Sequence, residues 1–155
     1  RLGEYFRNKG RAIRDEAASL AERGEALEAE KKRMQARKMF VTASQVLSRL
    51  SERFPQHNLA GKTLVVAGQT AMQGENYELA IETFSKVIED TEMDKELRAM
   101  AMFWSGRANM ELGALESAYI NLKKLTWDYP ATDWAKYARG LLESNEALIK
   151  MEEGM

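Results

Sequence analysis

Two stretches of the chain, 38 residues apart, repeat one order of side chains. In the first, Gly68 sits within a helical pattern, Gly74 follows as a turn residue, then come Tyr77 and Ala80, and Phe84 and Val87 close the run. In the second, Gly106, Gly113, Leu115, Ala118, Leu122 and Leu125 fall in the same order. Glycine or alanine inside a helix leaves room for a second backbone to approach closely, and the bulky residues then fill the space between successive pairs. This order restricts the chain to helical hairpins set side by side.

Composition agrees. Only two Pro and ten Gly punctuate 155 residues, 45% of which are hydrophobic. A chain of this length buries roughly 70% of its unfolded surface, enough for one domain-sized core. Apolar residues recur at helical spacing almost throughout, and no stretch alternates as a strand does. The pattern predicts helices over 11–53, 59–73, 76–91, 95–112, 115–128 and 132–151. Asn76, Asp94 and Thr132 are placed to cap the helices that follow them. Gly74 and Gly113 are placed as left-handed turn residues. Leu50 to Pro55 and Leu125 to Pro130 share the form Leu-x-x-x-aromatic-Pro, and proline there cannot continue the preceding helix.

The N-terminal third differs. Ile13, Leu20, Leu27, Met34 and Val41 are seven apart, and ten of the eighteen residues from Ala21 to Lys38 are charged. A seam this narrow cannot bury a wide face, although a Glu28–Lys32 pair four apart supports the helix locally. The expectation is a long charged helix or arm over 1–37 and a repeat domain over 38–155. The helix either caps the repeats or reaches along a neighbouring subunit.

In the order small residue, Gly turn, Ala and closing proline, the chain resembles the tetratricopeptide repeat. The resemblance covers about residues 38–142, with units 37 and 38 residues long against about 34 in the family. It implies an all-α fold, an α-solenoid of antiparallel helical hairpins led by the long N-terminal helix. It implies packing roles for Gly68, Ala80, Phe84, Gly106, Ala118, Leu122, Trp134 and Ala138. The phrase from Tyr129 to Ala138 is also similar to repeats of bacterial cell-envelope proteins, which implies a periplasmic, envelope or extracellular setting.

Little in the chain points to catalysis. The absence of Cys removes disulfides, thiolate chemistry and zinc–thiolate sites. His57 is the single histidine and has no nucleophile pattern beside it. Ala60-Gly61-Lys62-Thr63 has the ending of a phosphate-binding loop, but Gln56 stands where the earlier glycine belongs. Asp90, Glu92 and Asp94 alternate as in a calcium loop, yet Lys95 and Ala101 replace its required glycine and glutamate. No cofactor or metal site is expected, and the chain is read as a non-enzyme.

A net charge of −1 argues against nucleic acid as a partner. The longest uncharged stretch, Thr63 to Gly74, is twelve residues, short of the roughly 18–20 that span a membrane. Arg1 at the start reads as a processed or excised chain. Residues 1–54 carry 13 Lys/Arg and 8 Asp/Glu, a net of +5, and residues 55–155 carry 10 and 16, a net of −6. The chain is therefore able to attract its own copies head to tail. Partners are expected to be proteins. In a hairpin stack one face of each first helix forms a concave surface. That face carries Lys62, Val65, Gln69 and Met72 in one unit and Met100, Phe103, Arg107 and Met110 in the next, apolar residues ringed by Lys, Gln and Arg that suit a peptide or helix. Trp104, Trp127 and Trp134 read mainly as inter-helix packing. The favoured role is a protein-interaction scaffold or adaptor, and the alternative is a subunit that self-assembles into a filament through its basic arm and acidic repeats.

Overall fold

The computed structural model describes residues 1–154, among which there are eight α-helices and no strand. They are α1 (Leu2–Glu22), α2 (Ala26–Arg53), α3 (Ala60–Gln73), α4 (Tyr77–Glu89), α5 (Lys95–Glu111), α6 (Leu115–Asp128), α7 (Asp133–Ser144) and α8 (Glu146–Glu153). The all-α, α-solenoid expectation holds, because packing follows chain order: α1 on α2 and α2 on α3, then α4 on α5, α5 on α6 and α6 on α7, with α8 against α6 and α7. The chain divides into two compact units, Arg1–Asn76 and Tyr77–Met155. The boundary expected at 37/38 therefore falls inside α2.

In the first unit, the single helix expected over 11–53 is two helices folded back on each other. Gly24 breaks it by adopting φ 78°, a conformation costly for residues with a Cβ. The turn is closed by Gly24 N–H to Ala21 O at 3.0 Å and Glu25 N–H to Leu20 O at 2.9 Å, as in a glycine C-cap. α1 then runs antiparallel to α2, with Gly3 facing Leu47, Gly10 facing Phe40 and Glu16 facing Lys32 at 3.5 Å. A Cβ on Gly3 would lie 2.8 Å from Leu47 Cδ2, and one on Gly10 would lie 3.2 Å from the Phe40 ring. Ala17, Ala29, Ala36 and Ala43 are buried with them.

This column of small residues makes the close contact, and the seven-residue seam is split: Leu20 is buried and Ile13 and Val41 are half-buried, but its middle is open. Leu27 is 70% exposed and Met34 51%. Glu28 pairs with Lys31 at 3.2 Å, three residues on, while Lys32 reaches across to Glu16 instead. α2 continues onto α3, where Ser44 Oγ donates to Ala67 O at 2.8 Å and Ser51 Oγ to Ala60 O at 2.7 Å. Gly74 is not the left-handed residue. Its φ is −82°, and Glu75 takes the positive φ of 55°. Gly74 is small for another reason, since a Cβ there would lie 3.0 Å from Arg37 O and 3.1 Å from Phe40 Cβ.

In the second unit Gly113 is left-handed as expected, at φ 74°. A Cβ on Gly106 would lie 2.8 Å from Leu122 Cδ2, so α5 and α6 approach at close range there. Ala99, Met102, Phe103, Ala118, Leu122, Leu125, Ala135, Ala138, Leu142 and Leu148 share one core, against which Trp134 is partly buried. Ala80 and Phe84 on α4 are also buried, as is Gly68 on α3 in the first unit. Asp94 caps α5, accepting from Glu96 N at 2.9 Å and Leu97 N at 3.3 Å, and Thr132 caps α7, accepting from Ala135 N at 3.1 Å. The helix expected over 132–151 is interrupted at Asn145, whose side chain accepts from Leu148 N at 3.2 Å and starts α8. Lys123 on α6 donates to Glu152 at 2.8 Å. That bond raises the Lys123 pKa, so its contribution is present below the ordinary lysine pKa and is lost as pH rises through the raised one.

Gly106→Leu and Ala118→Leu are each expected to lower stability by about 1–3 kcal/mol through overpacking. Gly140 on α7 has nothing within 4 Å of where a Cβ would lie. Gly140→Ala is therefore expected to raise stability by about 0.5–1 kcal/mol through helix propensity. Urea unfolding of the three variants checks both directions.

Candidate interaction site

The eight residues expected to line a groove are carried by two helices in different units. Lys62, Val65, Gln69 and Met72 lie on α3, and Met100, Phe103, Arg107 and Met110 lie on α5. Lys62 is exposed, and Gln69, Met72, Met100, Arg107 and Met110 are half-buried. Val65 and Phe103 are not available as surface. Val65 is buried at 1% exposure, and Phe103, at 6%, belongs to the core of its unit.

What Phe103 does is hold an aromatic cluster. Its ring lies 5.6 Å from Trp104, 5.5 Å from Trp134 and 6.1 Å from Tyr137, and Trp134 and Tyr137 are 5.6 Å apart. The helical repeat puts Phe103 and Trp104 on the side of α5 that meets α7, and Trp134 and Tyr137 one turn apart on α7 answer them. Most of these contacts are edge-to-face or tilted, the arrangement the ring quadrupoles favour. Burial decreases outward: Phe103 is inside, Trp104 and Trp134 are half-buried, and Tyr137 is exposed. The buried indole N–H of Trp104 has no hydrogen-bond partner among the described residues.

Arg107 stands one helical turn beyond Phe103 and Trp104, and it makes no ion pair among the described residues. Arg98, on the same helix, is spoken for. Its Nε and Nη2 donate to Ile88 O at 3.0 and 2.8 Å, which satisfies a carbonyl at the end of α4, and its guanidinium lies 5.8 Å from the centre of the Tyr129 ring. Sequence reasoning gave Trp134 a packing role, which it has, but missed that Tyr137 carries the cluster to the surface. The three-residue spacing of Trp134 and Tyr137 was the available signal.

The other singled-out residues have local roles. His57 Nδ1 accepts from Leu59 N at 3.2 Å, and Asp90 accepts from Glu92 N at 3.0 Å to shape the α4–α5 turn. Trp127, expected to pack, is instead 72% exposed on α6. Among the described residues no helix is long and apolar enough to cross a membrane.

A tetratricopeptide repeat model matches residues 100–132, the hairpin of α5 and α6 with the turn into α7. No curated protein and no solved structure matches the chain. The match covers about a fifth of the chain, so the α5–α6 hairpin is similar to a tetratricopeptide repeat, and further helices follow in the same antiparallel order on either side of it. Such repeats are in general protein–protein interaction modules and are generally non-catalytic.

Because Phe103 is buried, Phe103→Ala is expected to cost about 3–5 kcal/mol of stability. Arg107→Glu alters a side chain without an ion-pair partner and is expected to change stability by only about 0.5 kcal/mol. Thermal melts of the two variants separate the structural residue from the surface one.

Proposed function

We propose that this chain is a non-enzymatic scaffold or adaptor that holds a segment of another protein on the face formed by α5 and α7. The observation that carries this reading is an unpaired cation, Arg107, one turn from a graded aromatic cluster. A carboxylate of the ligand would pair with Arg107 while an apolar side chain lies on Trp134 and Tyr137, with Met100 and Met110 giving adaptable contacts at the edges. Charge supplies selection and the aromatic surface supplies binding energy.

A second reading, a self-assembling structural subunit, is favoured by the charges of the two units. Unit 1 holds 14 Lys/Arg and 9 Asp/Glu, a net of +5, and unit 2 holds 9 and 15, a net of −6. Electron microscopy of the purified chain tests it, since filaments and dispersed particles are told apart directly.

Selection from a random peptide display library tests the first reading. The parent chain is expected to enrich sequences with Asp or Glu a few residues from an aromatic or aliphatic residue, and Arg107→Glu is expected to lose that preference. Enrichment that is absent, or identical for the two proteins, removes the α5–α7 face as a ligand site.

A further inference from the structure

The two Leu-x-x-x-aromatic-Pro segments end in opposite ways. At the α6–α7 corner Leu125 is fully buried, Tyr129 packs on the core and Arg98 from α5 covers its ring. At the α2–α3 corner Leu50 is 46% exposed and Phe54 53%, and the cation over the Phe54 ring is only its chain neighbour Arg53. Leu59, also 53% exposed, divides this open corner into two adjoining cavities. One, about 230 Å³, is lined by Leu50, Phe54, His57 and Thr63. The other, about 250 Å³, is lined by Leu47, Lys62, Thr63 and Val66. Lys62 lines the second cavity and Arg53 lies over the Phe54 ring beside the first, both exposed and neither in an ion pair among the described residues. Arg49 and Glu52 are exposed on the same turn of α2.

We propose that this corner of unit 1 is an interface, and that its occupant is unit 2 of a second copy of the chain. The proposal rests on the self-assembly reading and names the surface through which assembly occurs. Charge complementarity selects the occupant: the corner is the apolar, basic edge of a unit with a net charge of +5, and the chain itself supplies a unit of −6. The densest negative segment there is the turn between α4 and α5, where Glu89, Asp90, Glu92, Asp94 and Glu96 are all exposed around Met93. An acidic turn with an apolar residue at its centre matches two small apolar cavities bordered by Arg53 and Lys62. Contact between two different patches is heterologous, so a joined pair keeps one free corner and one free turn, and the contact repeats into a ring or a filament. Long-range attraction brings the copies together, and displacement of water from Leu50, Phe54 and Leu59 holds them.

Sedimentation velocity of the full chain, in about 50 and about 500 mM sodium chloride, tests the proposal, because the higher salt screens such attraction. The parent is expected to sediment as assemblies at low salt and as monomer at high salt. Arg53→Glu with Lys62→Glu, and separately Glu89→Lys with Glu92→Lys, are each expected to sediment as monomer at both. An equimolar mixture of the two variants is expected to regain association as pairs, because the unaltered basic corner of the turn variant still meets the unaltered acidic turn of the corner variant. That rescue also shows both variants to be folded. A parent that is monomeric throughout overturns both the proposal and the self-assembly reading. A parent that assembles while both variants assemble equally overturns this interface and leaves self-assembly standing. A monomeric parent that binds a synthetic acidic amphipathic peptide, with binding abolished by Arg53→Glu and Lys62→Glu, assigns the corner to a foreign partner and overturns the proposal.

Discussion

Close approach of helix backbones governs this molecule. Where Gly106 meets Leu122, and where Gly3 and Gly10 meet Leu47 and Phe40, a single extra carbon would stand within about the contact limit of a side chain already in place. Small residues on one helix therefore decide where the large residues of its neighbour can go. The buried alanines of unit 1 and the alanines of α5, α6 and α7 extend the same constraint along each stack. Dispersion and apolar burial supply the stabilisation, but only at the spacing that these small residues permit.

Polar groups finish the hairpins instead of driving them. Ser44 and Ser51 tie α2 to carbonyls of α3, Arg98 takes the end of α4, and Asp94, Thr132 and Asn145 start the helices that follow them. Arg98 and the three caps satisfy backbone groups that a helix end leaves open, whereas Ser44 and Ser51 add second bonds to carbonyls inside α3. Where this work is complete, as at the α6–α7 corner, the apolar residues beside it are covered. Where it is not, as around Leu50 and Phe54, apolar surface and unpaired cations remain side by side. Surface of that kind is characteristic of interaction sites. The α5–α7 face has the same pairing of an aromatic group with a free arginine, built on a rigid buried base at Phe103.

Much of the hairpin arrangement was legible in the linear order of residues. Gly106, Gly113, Ala118, Asp94 and Thr132 each have one strongly preferred use, as a spacer, a left-handed turn or a cap, and each is used that way. Gly24 carried the same signal but was overridden by the apolar spacing of seven around it. That spacing is misleading because alanine and glycine, which make the real α1–α2 contact, barely register as apolar positions. Gly74 was assigned the positive φ that Glu75 adopts, since a glycine wanted for close approach and one wanted for its backbone look alike in a sequence.

The amino-acid order by itself determined that this chain forms helical hairpins, where most of them turn, and that its two ends differ in charge. Those properties are local or additive, and no fold is needed to count them. Which apolar residues remain at the surface was decided only by the tertiary structure. Val65 and Phe103 are hidden while Tyr137 is exposed, and Leu125 is covered while Leu50, in the same motif, is open. Helical period tells which residues share a side, but exposure depends on whether another helix arrives there, and that is set by packing between segments far apart in the chain.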